Sequence, residues 1–222
     1  GWNADRNASE GSIPANISLY AKDKSVYAIW AIKQYTMSFN TNGGTAIAPI
    51  TQNYNTQISA PANPTKEGHT FSGWQNVPAT MPAEDIVIDG TYIANMYQLI
   101  YIVDGETYEI QNISYGKTII PIAAPTKEGY IFSGWSAIPE TMPANDVVVK
   151  ATWNKNVYTI TFVDYDNTVI LKEELEFEQK IITPNNPTRE GYTFTGWDPS
   201  VPNNMPNKDL TITANYKVNL YE

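Results

Sequence analysis

One twelve-residue phrase occurs three times in this chain: NPTKEGHTFSGW at 63–74, APTKEGYIFSGW at 124–135 and NPTREGYTFTGW at 186–197. The step is nearly constant, 61 positions from Trp74 to Trp135 and 62 from Trp135 to Trp197. The flanks keep the same step. Downstream, TMPAEDIVIDGTY (80–92) matches TMPANDVVVKATW (141–153) and NMPNKDLTITANY (204–216). Upstream, YTMSFNTNGG (35–44), YQLIYIVDG (97–105) and YTITFVDYDN (158–167) stand in register. A fixed period means that one small unit recurs, and that each copy mainly meets its neighbours. The sequence predicts repeats at 35–96, 97–157 and 158–217.

The remaining ends follow the same rule. Asp23 lies seven residues before Trp30, as Asp85, Asp146 and Asp209 lie seven before Tyr92, Trp153 and Tyr216. Residues 1–34 therefore read as the C-terminal half of a preceding repeat plus its linker. Residues 218–222 read as the start of a following one, because Tyr221 keeps the five-residue interval after Tyr216. The chain is expected to be a piece of a longer array, with four-residue linkers at 31–34, 93–96 and 154–157.

Each unit opens on period-2 alternation, with Tyr158, Ile160 and Phe162 on one face and Thr159 and Thr161 on the other. Asn42-Gly43 and Asp104-Gly105 are hairpin dipeptides. Residues 171–179 (LKEELEFEQ) fit either period by themselves. They read as a strand because Phe177 occupies the repeat position of Tyr54 and Tyr115. Pro at a first helical position and Gly just past an end suggest one helical turn over 64–67 and its copies. Phe71 and Trp74 lie three apart and would face opposite ways on a regular strand. A bulge at Gly73, and likewise at Gly134 and Gly196, would return both rings to one core. The expected structural core of the repeats is Phe71, Trp74, Phe132, Trp135, Phe194 and Trp197. The MP-x-x-D stretch reads as a turn before the last strand. The fold class is mainly β with short helices, as tandem small repeat domains in an elongated array.

Composition excludes much chemistry. No cysteine is present, which removes disulfides, thiolate metal sites and cysteine nucleophiles. A single histidine makes a repeated His-based site implausible. The formal charge of -9 lacks the basic footprint that nucleic acid requires. No apolar run approaches the roughly 18 residues of a membrane span. Abundant aromatics, 15 Tyr, 6 Phe and 6 Trp, suit a pleated, half-buried surface.

The Y-T-x-x-F-x-x-N-G-G opening, the P-T-(K/R)-E-G-x-x-F-x-G-W box and the late D-x-x-x-x-A-x-W together resemble the Listeria–Bacteroides repeat, the B-repeat type of internalin-like bacterial surface proteins. The resemblance covers nearly the whole chain. The full copies differ from the usual form by a shortened stretch after Gly-Trp. The resemblance implies a β-grasp-like α+β domain. It also implies tandem arrays on secreted or cell-wall-anchored proteins, extracellular, serving as stalk, spacer or adhesin segment in cell adhesion. The implied partners are neighbouring repeats in the same chain and a host or cell-surface protein or glycan. No catalytic residues, metal ligands or cofactors follow from it.

The site candidates have simpler structural readings. His69 replaces Tyr130 and Tyr192 and reads as a packing substitution. Glu67, Glu128 and Glu190, with Asp85, Asp146 and Asp209, could pair for acid–base work. Their duplication in every unit favours turn and strand-end roles. Asp164, Asp166 and Asn167 offer calcium-type oxygens but lack the rest of a calcium loop. Trp74, Trp135 and Trp197 could stack sugars, though their fixed place after Phe and Gly argues for the core. A Lys–Asn isopeptide bond would need a repeated lysine, yet Lys66 and Lys127 are matched by Arg189. The leading function is a non-catalytic surface repeat module. The alternative is a glycan-binding accessory module of a secreted hydrolase, and the accessibility of the repeat tryptophans separates the two.

Overall fold

The computed structural model describes residues 2–3, 6–8 and 25–220. The Asp23 and Tyr221 positions used to extend the repeat pattern lie outside the described residues. Strands are numbered β1–β14 in chain order. The first unit, Gly1–Met96, holds a short pair, β1 (Trp2–Asn3) with β2 (Tyr27–Ala28), and a four-stranded sheet. That sheet is built from β3 (Gln34–Asn40), β4 (Ile50–Asn53), β5 (His69–Trp74) and β6 (Ile86–Ala94), in the order β4-β3-β6-β5. Pairing is antiparallel at both margins and parallel between the central strands β3 and β6.

The second unit, Tyr97–Glu222, repeats the order twice. The first of its sheets runs β8-β7-β10-β9, from β7 (Met96–Val103), β8 (Glu106–Ser114), β9 (Tyr130–Trp135) and β10 (Val147–Lys155). The second runs β12-β11-β14-β13, from β11 (Val157–Val163), β12 (Val169–Glu176), β13 (Tyr192–Asp198) and β14 (Leu210–Val218). Residues 171–176 lie in β12, so the ambiguous segment is a strand.

None of the described residues is helical, which corrects the expected short helices. Lys66 and His69 instead form an isolated bridge, and the His69 N–H donates to the Lys66 carbonyl at 3.1 Å. Gly68 takes a φ of 65° inside that turn, a conformation that suits glycine. Four residues are too few to close successive i→i−4 bonds. Here Thr65 is also held elsewhere: its carbonyl accepts from Thr45 N–H at 2.8 Å, and its own N–H donates to Thr45 Oγ1 at 3.0 Å. The linkers also differ from expectation. Between β10 and β11 only Asn156 lies outside a strand.

The deepest core is not the Phe–Trp pair. It is Met37, Met81 and Ile88 in the first sheet, and Leu99, Tyr101, Ile119, Met142 and Val149 in the second. In the third it is Ile160, Phe162, Leu175, Ile181, Met205 and Ile212. The methionine of each MP pair is almost fully buried, and its backbone is held on both sides. Met81 N–H donates to Thr56 O and its carbonyl accepts from Asn55 N–H, both at 2.9 Å. Met142 with Lys117 and Gly116, and Met205 with Gln179 and Glu178, repeat this pattern. The following proline has no N–H and ends the pairing there. The unbranched thioether fills the gap between sheet and loop.

Truncating Met142 to Ala is expected to destabilise its repeat by roughly 2–5 kcal/mol through loss of transfer energy and creation of a cavity. Hydrogen exchange should show lost protection in β7–β10, with β3–β6 unchanged.

Candidate functional site

Each unit joins four rings into one line, running from the opening strand to the closing aromatic. In the first repeat Phe39 meets Trp74 at 5.0 Å between ring centres, Trp74 meets Phe71 at 5.1 Å, and Phe71 meets Tyr92 at 5.4 Å. The second repeat has Tyr101–Trp135 at 4.8 Å, Trp135–Phe132 at 5.3 Å and Phe132–Trp153 at 5.6 Å. The third has Phe162–Trp197 at 5.0 Å, Trp197–Phe194 at 5.3 Å and Phe194–Tyr216 at 5.9 Å. Tilted and edge-on contacts of this kind favour the ring quadrupoles. The register shift in β5 falls between Phe71 and Gly73, and Gly73 has φ of 135°. Gly134 and Gly196 match it at 133° and 142°. Phe71, Trp74, Phe132, Trp135, Phe194 and Trp197 are all half-buried. The indole Nε1 atoms of Trp74, Trp135 and Trp197 are buried, so these rings do not present their polar edge to solvent.

A cation closes each line. Lys66 Nζ sits 5.2 Å from the Tyr92 ring centre and donates to Asn42 O at 2.9 Å. Lys127 Nζ lies 4.5 Å from Tyr130 and 5.8 Å from Trp153, and pairs with Asp104 at 2.7 Å. Donation to Asp104 raises the Lys127 pKa. The Arg189 guanidinium lies between Tyr165 at 3.6 Å and Tyr192 at 3.8 Å. All three basic residues rest on a ring and reach the opening turn, Lys66 by its hydrogen bond to Asn42 O, Lys127 by its ion pair with Asp104 and Arg189 by cation–π contact with Tyr165. This is why Lys and Arg interchange there.

The repeated carboxylates are structural. Asp85, Asp146 and Asp209 accept from the backbone N–H of Thr36, Gln98 and Thr159 at 2.7, 2.7 and 2.8 Å. Each pins the opening strand where it runs parallel to the closing one. Asp166 accepts from Thr168 N–H at 3.0 Å, which lowers its pKa, and Asn167 takes φ of 67° in the same turn. Asp164 accepts the Tyr216 hydroxyl proton at 2.7 Å. His69 Nδ1 lies 2.7 Å from Glu67 O, and its ring stands edge-on to Tyr92. Of the glutamates, Glu128 Oε1 accepts from Asn207 Nδ2 at 3.4 Å. Among the described residues, no three His, Asp or Glu side chains converge as a metal site.

Sequence reasoning missed the junction between the second and third repeats. Asn156 N–H donates to Gly129 O at 2.9 Å, and Phe177 N–H donates to Asn156 O at 2.8 Å. The Phe177 ring covers Gly129, where an added Cβ would sit 2.2 Å from ring carbon Cδ1. Tyr130 meets that ring edge-on at 5.7 Å. Lys155 Nζ donates to Phe177 O at 3.0 Å and pairs with Glu178 at 3.4 Å, and Tyr130 donates to Glu178 at 3.3 Å. A signal was available: Asn95, Asn156 and Asn219 each stand three positions after the closing aromatic. Asn95 and Asn219 N–H donate to Gly68 O and Gly191 O in the same way, both at 2.8 Å.

A family profile described as the Listeria-Bacteroides repeat domain matches residues 35–85, 97–152 and 158–221. The chain belongs to the Listeria-Bacteroides repeat family. A protein of Evansella cellulosilytica named as a Gly-rich membrane protein is 26% identical over the whole chain, and Internalin H of Listeria monocytogenes is 29% identical over 70% of it. The chain spans 29% and 32% of those two relatives. A solved structure of Streptococcal High Identity Repeats in Tandem domains 3-4, from a cell surface protein, covers 55% of this chain and 96% of its own. At 16% identity and a TM-score of 0.25 it is too distant to carry a structural argument. The Listeria-Bacteroides repeats here are thus of the kind that a Listeria internalin carries. Among the described residues no helix is long and apolar enough to cross a membrane.

Tyr216 gives a direct check on the third repeat. Partial burial, followed by the hydrogen bond to Asp164 and its charge, pushes its pKa up to about 12. The folded state holds this proton more tightly than the unfolded chain, with its ordinary tyrosine value of about 10. The associated stability is present below pH 10 and is lost as pH rises from 10 to 12. Burial also raises the Tyr101 pKa, so ultraviolet titration should show more than one late tyrosinate step, and D164N should move only that of Tyr216 to lower pH.

Proposed function

We propose that this chain is a non-catalytic spacer segment of a secreted or wall-anchored bacterial surface protein. Its repeats hold a partner-binding region, protein or glycan, away from the envelope. The observation that carries this reading is the junction at Gly129 and Phe177. Two repeats are joined there by main-chain hydrogen bonds, a ring on a glycine and an ion pair, with one residue between their strands. Such a joint resists bending, which is what a stalk requires. The relatives named as an internalin and as a membrane protein support the surface setting. The repeats at 35–96, 97–157 and 158–217 are read as separate β-grasp-like domains in an elongated array. The strand order with its parallel central pair favours that class. The repeat core is assigned to the Phe–Trp pairs together with the buried methionines. Buried indole edges argue against sugar platforms.

Small-angle X-ray scattering tests the proposal. Versions with two and three repeats should differ by a constant increment in maximum dimension, and G129A should broaden the distance distribution. Equal dimensions, a G129A profile identical to that of the parent, or saturable binding on a glycan array would contradict the spacer reading.

A further inference from the structure

The middle sheet has an apolar solvent face, and its two counterparts do not. Leu99, Tyr101 and Val149 point into the core, so Ile100, Ile102 and Val148 alternate onto the opposite face. In β8, Ile113 packs against the core, and Gln111 and Glu109, hydrogen-bonded to each other at 3.3 Å, precede it at alternate positions. Tyr108 and Ile110 therefore turn outward. Val148 pairs with Ile100, and β8 flanks the other side of β7. The third repeat supplies the register: Lys172 pairs with Thr161, and Thr161 with Thr211. Lys172 stands five residues before Phe177, as Ile110 stands five before Tyr115. The middle repeat thus carries the row Ile110, Ile100, Val148 where the third carries Lys172, Thr161, Thr211. The first has Pro49, Ser38 and Val87 at the corresponding positions. Tyr108, Ile110 and Val148 are 55%, 47% and 53% exposed.

This face runs out to a free margin, because β8 ends its sheet. An edge strand offers unpaired N–H and C=O groups, and proteins blunt it with shortness, proline or charge. The other two repeats do so. β4 has four residues and follows Pro49. β12 turns Lys172 and Glu174 outward, opposite Thr161 and Thr159. β8 has nine residues, no proline and no lysine. Its own charges are the exposed Glu106 and Glu109, and among the described residues no ion pair neutralises either. A strand laid along this edge meets apolar side chains on one face and the Glu109 carboxylate on the other.

We propose that β8 docks, by strand addition, an extended peptide in which apolar residues alternate with Lys or Arg. Main-chain hydrogen bonds to residues 106–112 hold it, its apolar positions continue the row at Ile110, and its cations face Glu109. Charge favours this occupant over a second copy of the chain. The chain carries a formal charge of -9, and a second β8 brings the same two carboxylates to the edge. The inference adds a binding surface to the spacer reading and does not depend on it.

The probe is a blocked, fluorophore-labelled hexapeptide, Lys-Val-Lys-Val-Lys-Val, titrated with the full chain and followed by anisotropy. Saturable binding should weaken with added salt. The same composition ordered Lys-Lys-Lys-Val-Val-Val should lose the binding, because alternation is gone. Y108T/I110T keeps the charge and the strand preference of β8 and should weaken binding about tenfold through lost cross-strand contacts. Hydrogen exchange on the parent gives a readout that needs no variant: bound hexapeptide should add protection at 106–112 and leave β4 and β12 unchanged. No saturable binding up to about 1 mM, equal binding of the block-ordered peptide, or unchanged protection in β8 overturns the proposal. So does sedimentation equilibrium showing a dimer that Y108T/I110T dissolves, which would assign the edge to a second copy.

Discussion

A glycine with φ near 135° in the third strand of each repeat decides where two rings go. Phe71 and Trp74 are separated by three positions, and regular pleating would put one of them into solvent. The bulge inserts one residue and reverses the alternation, so Trp74 reaches both Phe39 and Phe71. A side chain at that φ is strained whatever space surrounds it. The line of rings from the opening strand to the closing aromatic exists only if this backbone position is kept. The cation that caps the line, Lys66, Lys127 or Arg189, then has a ring to rest on.

Two further devices complete the unit. The buried methionine fastens the crossing loop to the segment after the second strand by a hydrogen bond on each side. The aspartate four residues later in the first repeat, Asp85, caps the N–H of Thr36 and sets the start of the parallel central pair. A parallel pair cannot be closed by a tight hairpin, so its register needs fixing from elsewhere. The three aspartates provide that, and this use accounts for their recurrence without catalysis.

Much of this was legible in the sequence. The repeat period located three sheets, the alternation in 158–162 located an opening strand, and the Phe-x-Gly-Trp spacing required a bulge. The helical turn at 64–67 was misjudged because proline and glycine bracket a β-turn as readily as a short helix. The choice depends on Thr45, twenty residues away. The depth of Met81, Met142 and Met205 was missed because MP before an acidic residue reads locally as a turn. Their burial depends on a loop pairing that no local pattern encodes. The junction was hidden for the same reason: Gly129 looks like a turn glycine until Phe177 is placed on it.

The bulge can be tested by itself. Substituting Gly134 with Ala, followed by hydrogen exchange across the whole chain, isolates it within the middle repeat. The account predicts lost protection in β9 and β10 and a red-shifted, solvent-exposed indole signal from Trp135, while β3 to β6 keep their protection. Unchanged protection in β9 and β10, or simultaneous loss in β3 to β6, would contradict it.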